Sequence, residues 1–198
     1  MNSNTMDRRD YKQLLREADA LHKDDPDYKR TMNFEFALFL IVVLAIAIAL
    51  RILVFEPVRV EGDSMFPTLL NGERMFVEKV SYIVDEPQRG EIIICYYPGA
   101  SVTCVKRVVG LPGETVQAIN GAIFINGEQL DESEYWKGEI LGTMMFPVTV
   151  GEDEVFVVGD NRNASSDSRQ NDIGPIPYSR VVGRARTIIW PLSAYRPL

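Results

Sequence analysis

Ser64 stands in Gly62-Asp63-Ser64-Met65, and a serine hydroxyl attacks a carbonyl only where a neighbouring group takes its proton. The usual acceptor is histidine, and the chain has one, His22. His22 precedes a long apolar run. If that run crosses a membrane, a reacting domain beyond it cannot use His22, and a Ser-His-Asp triad is excluded. A serine after Gly-Asp is also an ordinary turn residue. Carboxylates and lysines are the remaining bases. A free lysine has a pKa of about 10.4 and is almost wholly protonated at neutral pH; burial lowers this by up to ~3–5 units, and about 3 units correspond to ~4 kcal/mol.

A lysine inside an apolar strand therefore matters, and Val105-Lys106-Arg107-Val108-Val109-Gly110 supplies one. Alternation puts Lys106 on one face with Cys104 and Val108, and Arg107 on the other with Val105 and Val109. If the Lys106 face is buried, Arg107 is free to reach water or an acid. An edge-strand lysine that blocks aggregation reads the same way. A third segment, Gly159 to Arg169, follows the apolar strand Glu154 to Val158 and is dense in hydrogen-bonding side chains. Its hydroxyls could accept from a lysine amine, and Asp167 with Arg169 could brace the loop.

These segments need a frame. With 46% hydrophobic and 25% charged residues, the 198-residue chain has the balance of a folded protein. A net charge of −7 without clustered Lys and Arg argues against nucleic acid as a partner. Phe36 to Phe55 is apolar except for Arg51, long enough for a helix to cross a ~30 Å hydrocarbon core. A buried core helix and a cleaved signal peptide, with small-residue sites near Ala47 and Ala49, are the alternatives; the polar stretch ahead of the run favours an uncleaved anchor. Lys23, Lys29 and Arg30 before it, against Arg51 and Arg59 after it, favour a cytoplasmic N-terminus. The expected organisation is a tail over 1–35, a transmembrane helix over 36–55 and an extracytoplasmic domain over 56–198.

Beyond the run, short β-branched and aromatic stretches alternate with Gly, Pro and Asn, which indicates a mainly β, antiparallel domain. Asn120-Gly121 and Asn126-Gly127 are turn signals, and Ile119 to Gly127 reads as a tight hairpin. Residues 130–149, with Trp136 and Met144-Met145, have the least definite texture. Cys95 and Cys104 flank a turn at Pro98 to Ser101, as a bridged pair or as two small hydrophobes. No spacing suits a metal.

Taken in order, Gly62 to Leu69, Arg89-Gly90-Glu91, Val105 to Glu114, Gly159-Asp160-Asn161-Arg162, Ser165 to Arg169 and Val182 to Ala185 resemble bacterial type I signal peptidases, in the short Gram-positive form. The resemblance implies a membrane-anchored serine endopeptidase without cofactor or metal that acts on exported preproteins. It implies Ser64 as nucleophile and Lys106 as general base, with Ser165 bonding the lysine amine and Asp160, Asp167, Arg169 and Arg107 holding the site. It places Val60, Met65, Leu69, Cys104 and Val105 near shallow pockets for an Ala-X-Ala substrate added as a strand. Where some members have a second oxyanion-binding serine, this chain has Gly62, leaving backbone donors such as the Ser64 N–H. The rival readings are a self-cleaving repressor, disfavoured by the apolar run, and an anchored β domain that binds without cleaving.

Overall fold

The computed structural model describes residues 8–22, 26–53, 55–99, 103–120, 122–136 and 145–198. Ala100, Ser101, Gly121 and Met144, named above in turns and in the Met pair, lie outside them. The chain divides into two compact units, Met1–Leu50 and Arg51–Leu198.

The first unit is helical. Helix α1 covers Arg8–His22, within the stretch expected as a tail. Helix α2 covers Pro26–Leu53. Its start at Pro26 precedes the expected Phe36 because proline suits the first helical position and no breaker follows it. Its end precedes Phe55, which already belongs to a strand. Among the described residues no helix is long and apolar enough to cross a membrane. The consecutive residues Leu38 to Leu44 are nonetheless all exposed, so the apolar surface of α2 faces outward on every side of the helix.

The second unit is built from the β-branched runs. In chain order the strands are β1 (Phe55–Arg59), β2 (Arg74–Glu78), β3 (Ile92–Tyr96), β4 (Thr103–Gly110), β5 (Thr115–Ile119), β6 (Ala122–Ile125), β7 (Glu128–Gln129), β8 (Met145–Thr149), β9 (Glu154–Val158), β10 (Ile176–Pro177), β11 (Val181–Trp190) and β12 (Arg196–Pro197). A short helix, α3 (Ser81–Val84), follows β2. The larger sheet runs β1-β2-β11-β3-β4-β9-β10, with β12 on β11, and the smaller runs β7-β6-β5-β8. All paired strands are antiparallel, as the alternating texture predicted. The stretch expected as one hairpin holds two reversals, at Asn120 and at Asn126-Gly127, which make a β5-β6-β7 meander. Both asparagines take positive φ, 48° and 53°, a region asparagine tolerates.

Both faces of the larger sheet are covered. Ile92 and Ile94 join Val60, Met65, Leu69, Met75, Val77, Ala185 and Ile188 in one core, while Ile93 and Cys95 join Val108, Val155, Val157 and Ile176 in another. Strand β4 lies between these layers, so from Lys106 onward every residue is buried. Of the two outcomes expected for Arg107, water or an acid, burial leaves the acid: its charge is met inside the protein by Asp160.

Candidate active site

Lys106 lies on a central strand opposite Ile93, in the same register that pairs Cys95 with Cys104. Its side chain is 3% exposed. Nζ stands 2.9 Å from Ser64 Oγ and 2.9 Å from the carbonyl oxygen of Val105. Burial, the dominant influence, holds the amine's pKa below the ordinary lysine range. The charges of Cys104 and Asp167 oppose this, while Arg169 adds to it. The Asp167 carboxylate is itself engaged: Oδ1 accepts Arg169 Nε at 2.7 Å, and Oδ2 accepts Arg169 Nη2 at 2.8 Å and Gly159 N at 3.0 Å.

Ser64 reaches the lysine from a turn, not from a strand. Gly62 has φ +87°, a conformation glycine adopts freely, and reverses the chain just before it. Phe66 N then donates to Asp63 O at 3.1 Å and Leu69 N to Met65 O at 2.9 Å. The buried side chains of Met65 and Leu69 anchor that turn in the core.

Three bonds tie the serine turn to the third segment. Asn161 N donates to Ser64 O at 2.9 Å, Asn161 Nδ2 to Asp63 O at 3.1 Å, and Thr68 Oγ1 to Asp160 Oδ2 at 2.6 Å. The same buried carboxylate receives Arg107, Nε at 2.8 Å and Nη2 at 2.6 Å, from the residue beside Lys106. Asp160 therefore joins all three segments through one fully buried group. A lone buried guanidinium would be costly, and the two-pronged carboxylate contact offsets its desolvation.

The 159–169 loop is itself held from behind. Arg162, 2% exposed, donates to Glu132 at 2.7 and 2.5 Å and to Gly159 O at 3.0 Å. Trp136 and Tyr135 lie over the Arg162 and Arg107 guanidinia, at 5.7 and 4.1 Å from the ring centres. Gly159 admits no side chain, since a Cβ there would meet the Ser64 carbonyl and the Ser165 side chain.

The site residues expected from sequence thus fall into two groups. Ser64, Lys106, Arg107, Asp160, Asp167 and Arg169 come together as described. Ser165 packs against Gly159, but its Oγ bonds Ser166 O, at 3.5 Å, while the Lys106 amine bonds Ser64 Oγ and Val105 O. Val60, Met65 and Leu69 are 3%, 2% and 0% exposed and form core, while Cys104 and Val105 are half-buried. The cysteines are free thiols. Sequence reasoning did not single out Thr68, Glu132 or Arg162 as site residues. Arg162 stood in the quoted motif, but nothing near Glu132 marks it as the partner of a residue thirty positions on.

A cavity of about 700 Å³ lies on the Thr68 and Arg107 side, lined also by Tyr135 and Arg196. Ser64 and Lys106 are not in its wall; they meet beside strand β4. There, strand β4 pairs with β3 along residues 103–107 but with β9 only from Arg107 on. Among the described residues, 103–106 have no strand on the β9 side.

The family model described as signal peptidase, peptidase S26, matches residues 33–190. The chain is 40% identical over 176 residues to signal peptidase I of Bacillus licheniformis, covering 85% of this chain and 94% of that protein. It is 37% identical over 177 residues to signal peptidase I T of Bacillus subtilis (strain 168), covering 85% and 91%. A solved signal peptidase I from Enterococcus faecalis shares 31% identity at a TM-score of 0.41, over 51% of this chain and 97% of that one. A match across 33–190, with relatives of this identity aligned along most of both lengths, shows that the chain belongs to the signal peptidase family, peptidase S26.

Proposed function

We propose that this chain is a serine endopeptidase that cleaves signal peptides from exported preproteins after small residues in Ala-X-Ala, with Ser64 as nucleophile and Lys106 as general base. The observation that carries the reading is the 2.9 Å approach of Nζ to Oγ inside a site where burial lowers the lysine pKa. A neutral amine has one lone pair. With one N–H spent on Val105 O, that lone pair can take the Ser64 proton.

Oγ then attacks the carbonyl carbon, and backbone N–H groups, including that of Ser64, bind the oxyanion, worth about 3–4 kcal/mol per donor. The Lys106 ammonium gives its proton to the leaving amine as the C–N bond breaks. Lys106 next deprotonates a water, which attacks the acyl carbon and releases the acid from Ser64 Oγ. The unpaired side of residues 103–106 offers hydrogen bonds to an extended substrate, which would add as a strand beside Cys104 and Val105.

The outward-facing apolar stretch of α2 supports a single-pass anchor, and Lys23, Lys29 and Arg30 before it against Arg51 and Arg59 after it support a cytoplasmic N-terminus. Such a surface is stable on all sides only in lipid or within other protein. The anchor would hold the peptidase unit where a preprotein emerges.

The test is cleavage of a purified precursor with an Ala-X-Ala site by the detergent-solubilised chain, with Ser64→Ala and Lys106→Ala in parallel. Cleavage after the small residue by the native chain alone is expected. Equal cleavage by all three would sink the dyad. No cleavage by a folded native chain would leave a domain that binds without cutting.

A further inference from the structure

We infer that Cys95 and Cys104 form a second reactive site, a dithiol that closes to a cross-strand disulfide by exchange with an external disulfide and thereby strips a negative charge from beside Lys106. The consequence for cleavage rests on the Ser/Lys reading; the thiol chemistry does not.

The register of β3 and β4 sets the two residues directly opposite each other, with Sγ atoms 3.3 Å apart. Antiparallel partners stand at Cα separations that a disulfide can span. The two thiols differ in kind. Cys95 is fully buried, whereas Cys104 is half-buried near the open margin of β4. Cys104 Sγ also lies 3.2 Å from Cys95 O.

The hydrogen bond from the Cys95 thiol, helped by the Lys106 charge and Tyr97, brings the Cys104 thiol down to about 7, while the same bond pushes Cys95 up. One sulfur is thus a nucleophile at neutral pH and the other keeps its proton. A pair serving only as small hydrophobes needs no such asymmetry.

The exchange balances with a disulfide oxidant such as oxidised glutathione. The Cys104 thiolate attacks one oxidant sulfur, forms a mixed disulfide and expels a thiolate, which takes a proton from water. Cys95 then loses its proton to solvent and attacks Cys104 Sγ, releasing the second thiol. Two cysteine thiols are oxidised and one external disulfide becomes two thiols.

Lys106 lies on the same strand face as Cys104, two residues on. The groups that bear on it are Cys104 and Cys95 on β4 and β3, Tyr97 with its ring centre 5.9 Å from Nζ, and Asp167 and Arg169 of the loop. Cys104, Cys95 and Asp167 hold its proton on; burial and Arg169 push it off. A disulfide carries no charge, so closing it removes the hold of Cys104. That hold exists only where Cys104 is ionised, so the difference should appear at and above a pH of about 7 and fade below.

The test compares the full chain in detergent after equilibration with reduced or with oxidised glutathione. Expected after oxidation are loss of both thiols, an intact mass lower by two hydrogens, and a Lys106 titration, followed by NMR of 13C-labelled lysine, that ends at lower pH. On the acid limb above pH about 7, kcat/KM should rise roughly threefold or more, equal to half a pKa unit or more. The Cys95→Ala chain should stop at a stable glutathione adduct on Cys104. Persistence of both thiols, an adduct on the native chain that never closes, or a closed disulfide with an unmoved Lys106 titration would each overturn the inference. If Ser64→Ala still cleaved, the dyad would fail while thiol count, mass and lysine titration still judged the cysteine pair.

Discussion

Replacing Gly159 by alanine would push the serine off the lysine while altering neither residue's identity. An added Cβ would stand 2.6 Å from Ser165 Cβ and closer still to the Ser64 carbonyl oxygen. Carbon contacts settle near 3.5–4.0 Å, so something must move by about 1 Å. Residue 159 is pinned on both sides, by Asp167 Oδ2 on its N–H at 3.0 Å and by Arg162 Nε on its carbonyl at 3.0 Å. Ser64 is half-exposed, so its turn has solvent to move into and should yield. A misplacement of about 1 Å costs on the order of 10²-fold in rate, or ~2.7 kcal/mol of transition-state stabilisation. If the loop yields instead, overpacking costs about 1–3 kcal/mol of stability and lowers Tm by a few degrees. Single-turnover cleavage of an Ala-X-Ala precursor, with thermal melting on the same sample, separates the two. A Gly159→Ala chain with native Tm and a rate within about threefold of native would refute the argument that this contact positions the nucleophile.

Lys106→Arg should be inactive in the precursor assay, because a guanidinium stays protonated and cannot accept the Ser64 proton; near-native turnover would remove Lys106 as base. Lys106→Met should melt higher than the native chain at pH 6, by about 1.4 kcal/mol for each unit by which burial depresses the lysine, less whatever the lost hydrogen bonds contribute. The sign follows because the unfolded chain binds more protons in this window: the native chain gains stability as pH rises through the folded pKa of Lys106, so the advantage of Met should shrink by pH 9, and calorimetry at the two pH values checks it. Asp160→Asn leaves Arg107 buried without its carboxylate and should cost about 3–5 kcal/mol, read by urea unfolding. A loss under about 1 kcal/mol would mean that water replaces the carboxylate.

Much of this was legible in the chain itself. Lys106 could be singled out because an ammonium among β-branched residues is anomalous wherever the strand sits. Ser64 and the 159–169 loop could be found because glycine and hydrogen-bonding side chains mark reversals locally. The antiparallel strands followed from period-two alternation, and the opposition of Cys95 and Cys104 from their symmetry about a turn. Each of these signals acts within a few residues, through backbone sterics and side-chain direction.

What only the tertiary structure decided are the pairings between distant segments. The alternation in β4 separated Lys106 from Arg107 but could not say that both faces would be covered, since that depends on which layers pack against the sheet. Arg107 finds Asp160, Arg162 finds Glu132 and Thr68 finds Asp160 because the sheet order brings those segments together. Ser165, expected at the amine, packs over Gly159. Residue types determine what chemistry is possible; burial and charge partners determine whether a lysine gives up its proton, and those belong to the packed fold, where desolvation and ion pairing act between residues far apart in sequence.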